Sequence, residues 1–274
     1  MRVDAHQHFW EMGRFEYAWM PAAPAALREN HLPERLAPLV EASRMDGTVA
    51  VQAHTSLDET RWLLDLAAAH DWILGVAGWV DLMDPRLGET LDQLQRHPKF
   101  KGARHPVHDE PDDEWLVRPD VLAGLRELAR RGLPYDLLLR PQHLRLVARV
   151  ADAAPDLRMA IDHLAKPRIA ERIFDGWAED LEAAAALPQV FCKISGLVTE
   201  AGGPDAAALR PYVAHAMRIF GPDRLMFGSD WPVCRGVCGY KQVLAAFTQA
   251  IGAQSEETRE KLLGATARGF YGLG

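Results

Sequence analysis

The feature of this sequence that most constrains its fold is a regular alternation of short apolar segments with longer segments of helical composition. The short segments are rich in β-branched and other apolar residues, as buried strands are. The predicted strands are residues 3–6, 48–53, 74–80, 101–105, 134–139, 158–162, 190–194 and 225–228. Eight such segments, each followed by a helical one, predict a parallel sheet built from βα units.

The longer segments carry Ala, Leu, Arg and Glu at helical spacing, and several begin with Asp or Pro, which favour the first turn of a helix. The predicted helices are residues 33–45, 58–70, 84–96, 119–131, 141–153, 171–187, 205–220, 240–251 and 256–270. Gly47, Gly132 and Gly221 each stand between a helix and the next strand, where positive φ ends a helix. Right-handed crossovers then favour a closed (β/α)8 barrel, with an open doubly wound sheet as the alternative.

Composition limits the classes of protein to consider. No linker or low-complexity segment divides the 274 residues, so we expect one domain spanning residues 1–274. No apolar run approaches the roughly 18 residues of a membrane helix. The net charge of −7 disfavours a sequence-independent nucleic-acid binder. The first residues offer no secretory segment, so we expect a cytoplasmic protein that binds neither membrane nor nucleic acid.

The three cysteines, Cys192, Cys234 and Cys238, are too few and too unevenly placed for a disulfide framework. Cys234 and Cys238 have a spacing that could hold a metal ion. Without a second cysteine pair this signal is weak, and two reduced thiols in a loop are the favoured interpretation. Their roles stay unassigned.

The carboxyl ends of all strands meet at one mouth of a parallel barrel, so polar residues that end different strands become neighbours. The first strand ends in Asp4-Ala5-His6-Gln7-His8, and the spacing of two places the imidazoles of His6 and His8 on the same side of an extended chain. Such a pair can bind one divalent ion or polarise a carbonyl group, with a structural hydrogen-bonded pair as the alternative. His163 and Asp230 end the sixth and eighth strands, where each could also be a cap. At a barrel mouth we expect them to be catalytic, with Asp230 as general base or metal ligand.

Further polar groups at the same rim are candidates for binding substrate oxygens, because cations and imidazoles recognise carboxylates, hydroxyls and carbonyls. These candidates are His54, Arg104, His105 and Lys166, and Trp231 is a candidate apolar wall against a ring. Asp136 receives no role. No GxGxxG, Walker-type or GxSxG motif is present, so nucleotide binding and serine-hydrolase chemistry lack support.

Four segments resemble the amidohydrolase superfamily, and the resemblance extends over essentially the whole chain. They are DAHQHFW at residues 4–10, IDHLAKP at 161–167, KISGLVTE at 193–200 and LMFGSDWPVC at 225–234. Within that superfamily they are similar to the branch that hydrolyses sugar lactones. The resemblance implies a distorted TIM barrel in which His6, His8, His163 and Asp230 surround the scissile ester. The chain lacks the strand-four lysine and strand-five histidine of the two-metal members, which argues against a binuclear centre.

The resemblance therefore implies hydrolysis of a small sugar lactone, such as L-fucono- or L-rhamnonolactone, to the free aldonic acid. Asp230 would take a proton from water, while His163, His6 and His8 stabilise the oxyanion. One divalent ion, with Zn2+ expected, would be held by His6, His8 and Asp230, although some members of this branch work without metal. The alternatives are a metal-dependent decarboxylase and a non-catalytic sugar-binding barrel. The chain is expected to be a monomer or homodimer.

Overall fold

The computed structural model describes all 274 residues, and its centre is a sheet of eight strands in sequential order. All seven ladders between successive strands are parallel. The strands are β1 (Val3–Gln7), β2 (Gly47–Val51), β3 (Ile73–Gly78), β4 (Phe100–His105), β5 (Tyr135–Leu137), β6 (Met159–Ile161), β7 (Val190–Ile194) and β8 (Leu225–Phe227). The eight predicted strands are confirmed.

The sheet closes where the segment just after β8 meets the carboxyl end of β1. The Asp230 amide donates to the His6 carbonyl at 2.9 Å, and the His8 amide donates to the Trp231 carbonyl. A parallel bridge also joins Gln7 to Trp231. These contacts make the sheet a (β/α)8 barrel and exclude the open doubly wound alternative.

Eleven α-helices accompany the strands, and the larger ones surround the barrel. They are α1 (Pro33–Ala42), α2 (Leu57–Ala69), α3 (Leu87–Leu94), α4 (Pro119–Arg130), α5 (Val147–Ala153), α6 (Trp177–Ala185), α7 (Leu197–Glu200), α8 (Ala206–Phe220), α9 (Tyr240–Ile251), α10 (Glu256–Glu260) and α11 (Thr266–Tyr271). The predicted helix 141–153 begins as a 3-10 helix, Pro141–Leu146, and the predicted helix 256–270 is divided by a π-turn, Lys261–Ala265. None of the helices is long and apolar enough to span a membrane.

The predicted role of Gly47 as a helix-ending residue is wrong, whereas Gly132 and Gly221 do adopt positive φ, +70° and +67°. Gly47 is the first residue of β2, and the turn after α1 takes its positive φ at Arg44. A Cβ atom on Gly47 would lie 2.6 Å from the Trp72 carbonyl oxygen. This glycine is therefore required by close packing of β2 on the segment before β3 and not by helix termination.

The barrel interior has two layers. The lower layer is apolar and contains Val3, Val49 and Met226, and α11 closes it from below with Phe270 and Tyr271. Above it, towards the carboxyl ends of the strands, lies a layer of buried charged and imidazole groups. Its members are His6, Arg104, Asp136, Asp162 and Lys193. This polar layer is the base on which the candidate site rests.

Tight packing of α4 gives a test of the fold. A Cβ atom on Gly124 would lie 2.2 Å from the Leu82 carbonyl oxygen, so Gly124→Ala forces α4 away from its neighbour. We expect a loss of about 1–3 kcal/mol in the free energy of unfolding, measured by urea denaturation. Gly269→Ala in α11 is the control, because nothing lies within 4 Å of its Cβ position. Equal unfolding midpoints for the two variants would contradict this packing.

Candidate active site

Three imidazoles and one carboxylate, all predicted from the sequence, meet at the carboxyl end of the barrel. The Nε2 atoms of His8, His6 and His163 lie 3.3, 3.8 and 3.9 Å from the same oxygen, Oδ1 of Asp230. All four side chains are almost completely buried. The structure thus brings together residues that are up to 224 positions apart, between His6 and Asp230.

A bulge in β1 determines the direction in which the side chains of His6 and His8 point. The β1–β2 ladder shifts register between Asp4 and Gln7. As a result Asp4 lies outside the barrel, where it accepts a hydrogen bond from Tyr240 of α9 at 2.9 Å, whereas His6 lies inside against Asp162. Bulges often redirect side chains next to active sites in this way.

The hydrogen bonds of His8 determine which of its nitrogens carries the proton. Nδ1 lies 2.8 Å from the Val51 carbonyl oxygen, which can only accept, so Nδ1 is the donor. In the neutral ring Nε2 of His8 then carries the lone pair, and it faces Nε2 of His6 at 3.1 Å. Either His6 donates a proton across this contact, or the two lone pairs face a common cation.

His163 begins a left-handed turn that no sequence pattern indicated. His163, Leu164, Ala165 and Lys166 all have φ between 51° and 58°, although none is glycine. Each such residue costs roughly 1–2 kcal/mol, so the surroundings must hold the turn in place. Trp177 does so by donating its indole N–H to the Leu164 carbonyl at 2.7 Å. Ser195 also contacts Nδ1 of His163 at 2.8 Å and orients the ring.

Beneath the histidines, Lys193 joins two buried carboxylates. Its ammonium nitrogen lies 2.5 Å from Asp136, 2.9 Å from Asp162 and 3.3 Å from Nδ1 of His6. Arg104 pairs with the other oxygen of Asp162 at 3.0 Å, and Tyr271 donates its hydroxyl proton to Asp136. Two cations thus balance two carboxylates in the barrel interior, which is the condition under which buried charges are tolerated.

The environment sets the protonation states of the cluster. Burial lowers the pKa values of His6 and His163 well below the ordinary value, so both rings are neutral. Burial alone would raise the pKa of Asp230, but the imidazoles of His163 and His8 and the Lys166 ammonium outweigh it and lower that pKa. Neutral imidazoles around an ionised carboxylate can hold a cation or activate water.

A cavity of about 640 Å³ opens above this cluster. It is lined by His8, His163 and Asp230 and by three of the predicted substrate-binding residues, namely His54, Arg104 and Lys166. Sequence reasoning missed other lining residues, among them His108, Glu110, Trp10 and Trp19. They lie in loops after strands, where no hydrophobic period marks which way a side chain points.

The structure does not bring His105 and Trp231 to this cavity. His105 contacts Glu110 through Nε2 at 2.7 Å and accepts the indole proton of Trp79 through Nδ1. Trp231 is only 1% exposed and packs edge-on against Phe9. His105 follows Arg104 directly, and Trp231 follows Asp230, so in each pair of neighbours one side chain faces the cavity while the other turns away.

The donor atoms at the cluster fit a divalent metal ion. His6, His8 and Asp230 offer ligand atoms within 4.8 Å of one another, and so do His6, Asp162 and His163. Cys234 and Cys238 belong to neither group, and all three cysteines are free thiols. Imidazole nitrogens with one carboxylate are a donor set that Zn2+ commonly takes. The Nδ1–H of His8 bonded to Val51 is the usual support for a histidine ligand.

Imidazoles and a carboxylate at the C-terminal mouth of a parallel barrel are the arrangement of a (β/α)8-barrel enzyme site. The chain belongs to the amidohydrolase family, because the family model described as "Amidohydrolase" matches residues 3–273.

Individual relatives agree with this assignment. The chain is 40% identical over 235 residues to an L-fucono-1,5-lactonase of Burkholderia ambifaria, covering 85% of this chain and 81% of the relative. It is 36% identical to an L-fucono-1,5-lactonase of Burkholderia multivorans, covering 100% and 96% of the two. Its fold matches a crystal structure of a Burkholderia multivorans amidohydrolase with bound Zn, with a TM-score of 0.91, 37% identity and 100% of both chains covered.

Gly196 tests whether the positions of His163 and Asp230 matter for activity. A Cβ atom there would lie 2.7 Å from Nδ1 of His163 and 3.2 Å from Oδ2 of Asp230. Gly196→Ala should therefore displace these groups and lower kcat about 100-fold, measured as hydrolytic turnover. Gly202→Ala is the matched control, because Gly202 has a similar positive φ of +71° with nothing within 4 Å. If both variants kept the same kcat, the cluster would not depend on this close approach.

Substitution of Lys193 tests the buried ion pairs that this lysine forms with Asp136 and Asp162. Lys193→Met leaves Asp136 and Asp162 undercompensated, and we expect a loss of about 3–5 kcal/mol in unfolding free energy at pH 8. The loss should be smaller at pH 5, because burial already raises the pKa of Asp136 to about 6 and protonation removes the unpaired charge. Lys101→Met is the control, since the Lys101 ammonium contacts only the Gly272 carbonyl near the surface. A pH-independent loss would argue against this electrostatic account.

Proposed function

We propose that this protein hydrolyses the ester bond of a sugar lactone to release the free aldonic acid. The observation that carries this proposal is the convergence of three imidazole Nε2 atoms on one oxygen of Asp230 at the cavity floor. The names of the two Burkholderia relatives support L-fucono-1,5-lactone as the first substrate to test.

In this proposal Asp230 is the general base. Its carboxylate is ionised at neutral pH and lines the cavity, so it can take a proton from the water that attacks the lactone carbonyl. His163 stabilises the oxyanion. Ser195 contacts Nδ1 of His163 at 2.8 Å, and with the hydroxyl as the donor the Nε2–H of His163 is directed at the cluster as a hydrogen-bond donor.

We further propose that one Zn2+ ion is held by Nε2 of His6, Nε2 of His8 and Oδ1 of Asp230. When bound, the ion supplies Lewis-acid polarisation of the ester and lowers the pKa of water. Asp162 and Lys193 each lie 3.3 Å from Nδ1 of His6. They hold the ring so that its Nε2 faces Nε2 of His8 and Oδ1 of Asp230. The zinc in the Burkholderia multivorans structure supports this choice of metal.

The polar wall of the cavity is proposed to bind the ring hydroxyls of the sugar. Arg104 uses Nη1 for Gln52 and Nε for Asp162, which leaves Nη2 for a ligand. Lys166 lines the cavity, and burial lowers the pKa of its ammonium group. His54 also lines this side of the cavity. A site that forms hydrogen bonds to the substrate hydroxyls discriminates against analogues that lack those hydroxyls.

A pH-indicator assay over a panel of aldonolactones tests this function. We expect L-fucono-1,5-lactone to be hydrolysed, activity to fall after treatment with a chelator, and added zinc to restore it. Release of carbon dioxide from aromatic acids without lactone hydrolysis would instead establish the decarboxylase alternative. Saturable sugar binding without turnover would establish a non-catalytic barrel.

Asp230→Asn tests the assignment of the base. The amide cannot accept the proton of water, so kcat for the lactone should fall by roughly 100- to 10,000-fold while the protein stays folded. The control is Asp152→Asn, because Asp152 is exposed on α5 away from the cavity. Near-normal turnover by the Asp230 variant in the same assay would require a different base.

A further inference from the structure

One wall of the active-site cavity is apolar. It is formed by Trp19, Ala23 and Leu27, which lie between β1 and α1, and by Val233 and Val237, which follow β8. We call these five residues the apolar lobe. Apart from Asp230 of the catalytic cluster, no charged side chain from either segment lines the cavity, whereas Arg104, Lys166 and His108 lie on other segments of the rim. The cavity is therefore divided into a polar and an apolar side.

The side chains of the apolar lobe offer no free hydrogen-bond donor to a ligand, because the tryptophan N–H groups are already bonded. The indole N–H of Trp19 already donates to the Ala53 carbonyl at 3.1 Å. Trp10, which lines the cavity beside the lobe, donates its indole N–H to the carbonyls of Leu27 and Glu29. A sugar hydroxyl buried against this wall would lose its hydrogen bonds to water without replacement.

The lobe also leaves apolar surface at the cavity mouth. Val237 is 38% exposed and is one of five large hydrophobic side chains exposed on the protein. Of these five, it alone lines the cavity. Apolar surface within a concave site is typical of a place where a ligand binds.

The size of the cavity points the same way. A volume of about 640 Å³ is within the roughly 300–1,000 Å³ of sites that bury drug-sized ligands. A monocyclic sugar lactone is considerably smaller than such a ligand, and in the proposed function its hydroxyls bind to the polar wall. The apolar lobe is thus space next to the catalytic cluster that the sugar ring does not need.

We propose that the apolar lobe binds an alkyl substituent on a lactone ring, so that the protein also hydrolyses alkyl δ-lactones. This inference rests on the proposed function, because it uses the same catalytic cluster. Water adds to the ring carbonyl as Asp230 takes its proton, the carbonyl carbon–ring oxygen bond breaks, and the ring oxygen receives that proton. The product is an open-chain hydroxy acid bearing the alkyl group.

The test is the kinetics of a series of δ-lactones with 5-alkyl substituents from methyl to heptyl. Each methylene buried in the lobe should raise kcat/KM roughly two- to fourfold until the lobe is full. The gain should come from a lower KM with an unchanged kcat, because the alkyl chain contacts the protein equally in ground and transition states.

Two matched variants locate the effect. Val237→Asp places a charge in the lobe and should remove the dependence of kcat/KM on chain length. Ile173→Asp is the control, because Ile173 is also 38% exposed but lies outside the cavity. It should keep both the chain-length dependence and the activity on sugar lactones.

Two outcomes separate this inference from the proposed function. If L-fucono-1,5-lactone is hydrolysed but kcat/KM stays flat along the alkyl series, the inference is overturned and the proposed function stands. If kcat/KM rises along the alkyl series and no sugar lactone is hydrolysed, the lobe is supported and the sugar substrate is wrong.

Discussion

The contact on which the site depends is the buried ammonium of Lys193, held between Asp136 and Asp162 directly beneath His6. Two carboxylates inside a barrel would repel each other and lose their hydration, so they persist there only with cations beside them. Lys193 and Arg104 supply those cations. Because Asp162 also contacts Nδ1 of His6, the same network that neutralises the interior orients the first imidazole of the cluster.

The residues above this network have unusual backbone conformations. A bulge in β1 turns His6 inward, a left-handed turn presents His163, and Asp230 itself has a φ of 55°. Such conformations cost free energy that the surrounding fold must provide. These conformations fix the distances within the cluster before any substrate binds. Electrostatic stabilisation of a transition state requires such a preorganised arrangement.

Topology is the part of this structure that could be predicted from the sequence. Eight apolar segments separated by helices predict a barrel, and a barrel brings the ends of β1, β6 and β8 together, so His6, His8, His163 and Asp230 could be grouped without coordinates. Side-chain direction was harder to predict. The β3–β4 ladder shifts register, so the alternation that separates Arg104 from His105 on β4 could not be assigned from sequence.

Lys193 was missed for a related reason. A lysine at the end of a strand is usually a solvated rim residue, and only the pairing of β5, β6 and β7 shows that it faces two carboxylates across the barrel. Gly47 was misassigned because a glycine after a helix has two explanations, a positive φ or a close contact. Only the position of the Trp72 carbonyl distinguishes them.

The central claim is that these four side chains surround the reacting carbonyl of a sugar lactone. A crystal structure of the Asp230→Asn variant with L-fucono-1,5-lactone bound tests it most directly. The account predicts an intact lactone whose carbonyl lies against His163 and residue 230, with its hydroxyls on Arg104 and Lys166. A lactone bound in the cavity with its carbonyl turned away from the cluster would contradict it.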